Sequence, residues 1–312
     1  MTASADLVPR VLRGEQAAIG RMITFVERRA GGVNEALAAL HRETGKAHVL
    51  GITGPPGSGK STLVTALTAA YRRSGATVGI IAVDPSSVFS GGAILGDRIR
   101  MGALAGDESV FIRSLATRGA LGGLSRAALD AVTVLDAAGK DVIILETVGV
   151  GQAEVDVISA AHSVAVVSVP GLGDGVQALK AGLLEIADVH VVNKADRDGA
   201  DRTVAELREM LRLVKRVPGQ WHIPIQTTVA TDSEGIPELI AQFGEHLRWM
   251  TGNGERERRA RRNTATRIRW LAEELVLERL KPGVPDFDRA VDDVTARRGD
   301  PVSAARALVE QL

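Results

Sequence analysis

The sequence predicts an α/β chain: a doubly wound, mainly parallel sheet at the centre and helical extensions at both ends. Three observations carry this. Short β-branched runs alternate with longer stretches of helical spacing; one of those runs leads into a glycine-rich turn ending in Lys60-Ser61-Thr62; and neither end of the chain contains a convincing strand.

The runs HVLGIT (48–53), TVGIIAV (77–83), DVIILE (141–146), SVAVVSV (163–169), DVHVVN (188–193) and IPIQTT (223–228) read as strands, with ESVFIRS (108–114) a weaker seventh. Several are apolar at consecutive positions, as strands covered on both faces are. Helical stretches fall at about 60–74, 122–138, 174–186, 200–216 and 235–250, giving the alternation of a parallel sheet. Before them, Leu7, Val11, Ile19, Met22 and Phe25 share helical spacing. After Gly252 the chain turns Arg- and Glu-rich in ERERRARR, and Ile268, Leu271 and Leu275 recur at steps of three and four. Lys281-Pro282-Gly283 breaks that helix, and a last short helix is expected over 300–312. The expected organisation is a helical extension over 1–45, a nucleotide domain over 46–250 and a helical arm over 251–312.

Composition excludes several function classes. Lys plus Arg and Asp plus Glu both total 38, so there is no global electrostatic case for nucleic acid. Aromatic residues at 3% leave few rings on which bases would stack. The absence of cysteine removes disulfides, thiol nucleophiles and zinc fingers. No apolar run approaches the roughly 18–20 residues of a membrane span, and the first thirty residues carry no signal-peptide core. A cytoplasmic protein with no membrane partner is expected.

The turn GPPGSGKS fits G-x-x-x-x-G-K-[ST], and it sits between a strand and a helix-forming run, as a phosphate-cradling loop must. Gly54, Pro55, Pro56, Gly57, Ser58, Gly59, Lys60, Ser61 and Thr62 are therefore the expected phosphate site. Backbone N–H groups and the helix N-terminus face the phosphates, Lys60 bridges the β- and γ-phosphates, and Ser61 ligates Mg²⁺.

Asn193-Lys194-Ala195-Asp196 follows a strand and matches the N-K-x-D element of GTPases. A carboxylate at Asp196 accepts from guanine N1–H and the exocyclic amine, an arrangement that adenine lacks, so a buried Asp196 would be left unpaired by ATP. Asn193 is expected to tie the loop to its neighbours, Lys194 to lie along the base, and the segment at Val229 and Ala230 to close over it.

Asp84 and Glu146 end strands, which places both carboxylates at the carboxyl edge beside the phosphate loop. They are candidate Mg²⁺ ligands, directly or through water. Asp97, in GGAILGDRIRM, either joins them or caps a helix ahead of RIRMGAL. Gly149 is placed to sense the γ-phosphate through its N–H, making 146–156 a natural switch. Val150 follows Gly149 where Ras-like enzymes place a glutamine, so the partner of the catalytic water is not assigned.

Together, GPPGSGKS, DPSS, GGAILGDRIRM, ETVGVGQAEVD, PGLGDGVQALKAG and NKAD resemble the MeaB/ArgK-type P-loop GTPases over about residues 7 to 270. The resemblance implies a slow, Mg²⁺-dependent GTPase that turns GTP into GDP. It implies a homodimer that serves as chaperone to methylmalonyl-CoA mutase or a related cobalamin-dependent acyl-CoA mutase, gating cofactor loading and protecting or reactivating it. It places Asp84, Asp97 and Glu146 around the magnesium, with Lys60, Asp97 and Glu146 as the catalytic set. Asp174 and Lys180 then belong to a third mobile loop coupling nucleotide to partner, and 255–312 becomes a dimerisation arm. Where the family pairs two aspartates after the glycine, this chain has Asp174-Gly175.

Other classes fit these residues less well. The older family label, a kinase linked to basic amino-acid transport, has no specific feature here. A metal-insertion GTPase would carry Cys- or His-rich ligand clusters, and Asp196 argues against an ATP-using kinase or partition ATPase. ERERRARR reads as a solvated helix face or a dimer salt-bridge rim rather than a nucleic-acid or anionic-membrane contact; His162, His190 and His222 read as structural, and Trp221, Trp249 and Trp270 as core or interface anchors.

Overall fold

The computed structural model describes residues 3–85, 104, 106–117, 123–147, 161–171, 186–213 and 219–311, the side chains of 84–85, 116–117 and 123–125 excepted. Among them are seven strands: β1 (His48–Thr53), β2 (Val78–Pro85), β3 (Val110–Thr117), β4 (Val142–Thr147), β5 (Ser163–Ser168), β6 (Val189–Asn193) and β7 (Ile225–Thr228). They form one parallel sheet in the order β3-β2-β4-β1-β5-β6-β7. From β1 the chain moves outward through β2 and β3, returns as β4 beside β1, and then departs the other way. The switch point lies between β1 and β4, and ligands of such sheets bind outside the carboxyl ends there.

Period-2 alternation sorts the strand side chains between two cores. Leu50, Ile52 and Ile144 face α4 (Lys60–Arg73) and α7 (Ile236–Gly252), where Leu63, Leu67, Leu239 and Phe243 meet them. Val49, Ile143 and Leu145 face the other layer, with α5 (Gly123–Ala137) and α6 (Ala200–Leu213). Glu146 thus turns to the α4 face and Thr147 to the opposite one.

The N-terminal helices α1 (Val8–Leu12), α2 (Gln16–Arg28) and α3 (Val33–His41) are built into that second core: Ile19, Met22, Ile23 and Leu40 cluster with Phe111, Ala131 and Leu135. Two polar ties fix them. Arg113 of β3 pairs with Glu27 and donates to Thr24 Oγ1 at 3.1 Å. The Asp136 carboxylate accepts the N–H groups of Gly45, Lys46 and Ala47 at 2.7, 3.1 and 3.1 Å, which anchors the link into β1.

The chain divides into two compact units, Met1–Arg259 and Ala260–Leu312, with the boundary inside α8 (Glu255–Arg279). The second unit continues through α9 (Pro285–Thr295) and α10 (Pro301–Glu310), and Ile268, Leu275, Leu277, Val291, Val302 and Val309 are exposed on it. The helix α9 has no counterpart among the helices expected from the sequence. Its start signals were present: Pro285 at the first turn, Asp286 and Asp288 beside it, and Phe287, Val291 and Val294 at helical spacing. The helix expected over 174–186 lies outside the described residues except for Ile186.

At the amino ends of the strands lies a buried polar network that sequence reading did not find. Asp188, just before β6, accepts both guanidinium nitrogens of Arg259 at 2.8 Å and the Val164 N–H at 2.9 Å, and His246 Nε2 stands 3.2 Å away. Burial alone would raise the Asp188 carboxyl; hydrogen bonds from Arg259 and His246 outweigh it and hold it below the usual range. Arg259 also donates to the His162 carbonyl at 2.5 Å, and Arg256 to the Gly45 carbonyl at 3.1 Å. Two arginines of ERERRARR, one helical turn apart, therefore dock the first turn of α8. Trp221 and Trp249 pack against His246, and Trp221 Nε1 donates to the Asp188 carbonyl at 2.8 Å.

Burial depresses three imidazoles from 6.5: His48 to about 3, His162 to about 4 and His190 to about 4. Below 6.5 the unfolded chain binds protons at these sites that the folded chain does not bind until about pH 4 at His162 and His190 and about pH 3 at His48. Stability is therefore full above 6.5 and falls as pH drops through 4 toward 3. His190, shifted by burial alone, contributes about 2 kcal/mol of that loss by pH 5. Urea unfolding of His190→Val at pH 7.5 and pH 5 should show a loss smaller than wild type by about this amount. An identical loss would contradict the assignment.

Candidate nucleotide-binding site

The phosphate loop joins the end of β1 to the start of α4. Gly54 has φ +150° and lies against β5, where a Cβ would strike the Val167 carbonyl oxygen. Gly59 has φ +86° and a Cβ there would strike Asn193 Nδ2. Only glycine fits either position, for conformation and for space. The loop ends on the first turn of a 14-residue helix, whose leading N–H groups have no partners within the helix and carry its positive dipole end.

Lys60 is 6% exposed, and its ammonium donates to the carbonyls of Gly54 at 2.8 Å and Pro55 at 3.0 Å, spanning the loop from inside. Pro56 and Gly57 are exposed at its tip, whereas Ser58 is buried. Ser61 Oγ donates to Glu146 Oε1 at 2.6 Å. This contact brings the loop's hydroxyl to the carboxylate one residue before the end of β4, across the switch point. Glu146 is 2% exposed.

The Asn193–Asp196 turn is stitched to the loop on one side and to β7 on the other. Asn193 Nδ2 donates to the Ser58 carbonyl at 2.9 Å, and its Oδ1 accepts from Thr228 Oγ1 at 3.1 Å and the Ala230 N–H at 3.2 Å. Lys194, at φ +57°, donates from Nζ to the Gly57 carbonyl at 2.8 Å. The Ala195 N–H bonds the Thr228 carbonyl at 3.1 Å. A cavity of about 130 Å³ opens between these segments, lined by Gly59, Thr62, Asn193, Lys194, Asp196, Arg197, Val229, Ala230 and Thr231.

The structure thus gathers the phosphate loop, Glu146, Asn193, Lys194, Asp196, Val229 and Ala230 along one edge of the sheet. Arg197 and Thr231 line the cavity without having been anticipated; adjacency to NKAD and to Val229-Ala230 was their only signal. Asp196 differs from expectation in one respect, because it is exposed rather than buried. Selection by its carboxylate then depends on the purine itself covering it. Asp97, Gly149, Asp174 and Lys180 lie outside the described residues, as does the side chain of Asp84, whose backbone belongs to β2.

The donors that are described suit a hard divalent cation: the Ser61 hydroxyl and the Glu146 carboxylate are oxygen groups held together beside the phosphate loop. Among the described residues no cluster of three or more His, Cys, Asp or Glu could hold a metal.

Ser163, His246 and Asp188 form a separate series, with 2.8 Å from Ser163 Oγ to His246 Nδ1 and 3.2 Å from His246 Nε2 to Asp188. These are the residue types of a hydrolase triad. All three are buried, Ser163 Oγ also meets His48 Nε2 at 3.0 Å, and Asp188 is engaged by Arg259. A nucleophile needs an accessible oxygen, so this arrangement is structural.

A family model described as "Methylmalonyl Co-A mutase-associated GTPase MeaB" matches residues 19–284. The chain belongs to the MeaB family of GTPases. Over 309 residues it is 45% identical to a Pyrococcus horikoshii protein provisionally named a GTPase, covering 98% of each chain. It is also 34% identical over 290 residues to the Mus musculus "Methylmalonic aciduria type A homolog, mitochondrial", covering 87% of this chain and 69% of that one. A crystal structure of an LAO/AO transport system kinase superposes with a TM-score of 0.74 at 27% identity, covering 99% and 98% of the two chains. This MeaB-family protein is a P-loop GTPase, a hydrolase of guanine nucleotide. Among its described residues no helix is long and apolar enough to cross a membrane.

Proposed function

We propose that this GTPase is the chaperone of a cobalamin-dependent methylmalonyl-CoA mutase or a related acyl-CoA mutase, gating cofactor loading and protecting or reactivating its client. The observation that carries this reading is the match of residues 19–284 to the mutase-associated family. The name of the mouse relative supports it.

The chemistry is in-line attack of water on the γ-phosphate of GTP. Loop and helix N–H groups bind the phosphates, Lys60 meets the charge that develops, and Asp196 selects the base. Ser61, Asp84, Asp97 and Glu146 would hold Mg²⁺, which when bound neutralises phosphate charge. Gly149 follows the γ-phosphate, while Asp174 and Lys180 carry the nucleotide state to the client. With Val150 in the place of a water-positioning glutamine, intrinsic turnover is slow and client binding accelerates it. The exposed apolar side chains of α8, α9 and α10 support a homodimer formed through the 255–312 arm.

The test is affinity capture from cell extract with the chain loaded with GTP analogue, with GDP or without nucleotide. Nucleotide-dependent recovery of a cobalamin-dependent mutase supports the reading. Recovery only of a membrane transport component contradicts it and favours the kinase activity in the name of the structural neighbour.

A further inference from the structure

β1 and β4 are adjacent, and their backbone ladder runs from His48 opposite Val142 to Ile52 opposite Glu146. One residue beyond that last pair stand Thr53 and Thr147, the final residues of the two strands. Both are fully buried, and the Thr147 hydroxyl donates to the Thr53 hydroxyl at 3.0 Å. The side-chain bond thus extends the pairing of β1 with β4 one step past the ladder.

What flanks the pair gives it meaning. Gly54, the first residue of the phosphate loop, follows Thr53, and Glu146 precedes Thr147. Because side chains alternate along a strand, Glu146 points to the α4 face, where Ser61 meets it, while Thr147 points to the opposite face. One end of the sheet therefore carries the Ser61–Glu146 contact on one side and the Thr53–Thr147 bridge on the other. A change in the spacing of β1 and β4 at this point would move Glu146 relative to Ser61.

We infer that Thr53 and Thr147 are positioning residues for GTP hydrolysis, setting the separation of the phosphate loop from Glu146 and hence the grip of Ser61 and Glu146 on a divalent cation. This rests on the Mg²⁺ and GTP reading proposed above. Valine is the matching probe, since it keeps the branched shape and deletes the hydroxyl. Serine keeps the hydroxyl.

The experiment compares wild type with Thr147→Val, Thr53→Val, the double valine variant and Thr147→Ser. Retention of a fluorescent GDP analogue is measured across Mg²⁺ concentrations, alongside steady-state GTP hydrolysis and thermal melting. Thr147→Val should need about tenfold more Mg²⁺ for half-maximal retention, the scale of one buried hydrogen bond. Its kcat should fall by a similar factor, with KM at saturating Mg²⁺ little changed. Thr147→Ser should return both to near wild type, and the double variant should be no worse than the worse single, as for residues acting as one unit. If Thr147→Val does not fold, Thr53→Val carries the same expectations. A lowered melting temperature with unchanged Mg²⁺ response and kcat would overturn the inference, as would additive losses or a serine variant as impaired as the valine. If wild type itself neither hydrolyses GTP nor responds to Mg²⁺, the underlying reading fails instead.

Discussion

Lys60→Ala is expected to abolish GTP hydrolysis, lowering kcat by about a thousandfold or more. The side chain is buried inside the phosphate loop, and its ammonium holds the carbonyls of Gly54 and Pro55. Alanine removes both the tie that spans the loop and the positive charge that, in the proposed mechanism, meets the transferred phosphoryl group. Lys60→Arg should not rescue, because a planar guanidinium cannot occupy the space of a compact ammonium between two carbonyls. Phosphate release under single-turnover conditions checks this, with circular dichroism confirming that the variant is folded. Turnover within tenfold of wild type, with or without the client, would remove Lys60 from its role.

Asp196→Asn should lower the preference for GTP over ATP by about two orders of magnitude. The carboxylate lies at the mouth of the cavity between the Asn193–Asp196 turn and the Val229–Thr231 segment, where a purine would cover it. An amide offers one acceptor and one donor group in place of two acceptors, so guanine N1–H and its amine are no longer both met. Xanthine nucleotide, with a carbonyl in place of that amine, should bind the variant better than the wild type. That gain separates altered base reading from a damaged fold. Competition binding with the three triphosphates is the measurement, and an unchanged GTP-to-ATP ratio would count against Asp196 as the base reader.

The sheet was legible because its strands are apolar on both faces and separated by helical spacing; even the weakly patterned ESVFIRS is β3. The phosphate loop and NKAD were legible because each is a local device, readable from eight or four consecutive residues. The contacts between them were only partly so. Asn193 was expected to tie the loop to its neighbours, but that its amide reaches the Ser58 carbonyl follows from the loop being pressed against the end of β6. The network around Asp188 was invisible for the same reason in stronger form. His48, Ser163, Asp188, His246 and Arg259 are scattered along the chain, and each is unremarkable in its own window. ERERRARR shows the limit of composition: the run looks like a solvated face, yet Arg259 is the partner of a buried carboxylate. The same holds for residues 5–45, whose helical spacing was clear while their shared core with β3 and α5 was not.

The most direct measurement is a crystal structure of the chain grown with Mg²⁺ and a non-hydrolysable GTP analogue. The account predicts the triphosphate within the turn from Gly54 to Ser61, Lys60 at its terminal phosphate and the purine edge against Asp196. Nucleotide density at any other place on the molecule, or a base that avoids Asp196, would contradict it.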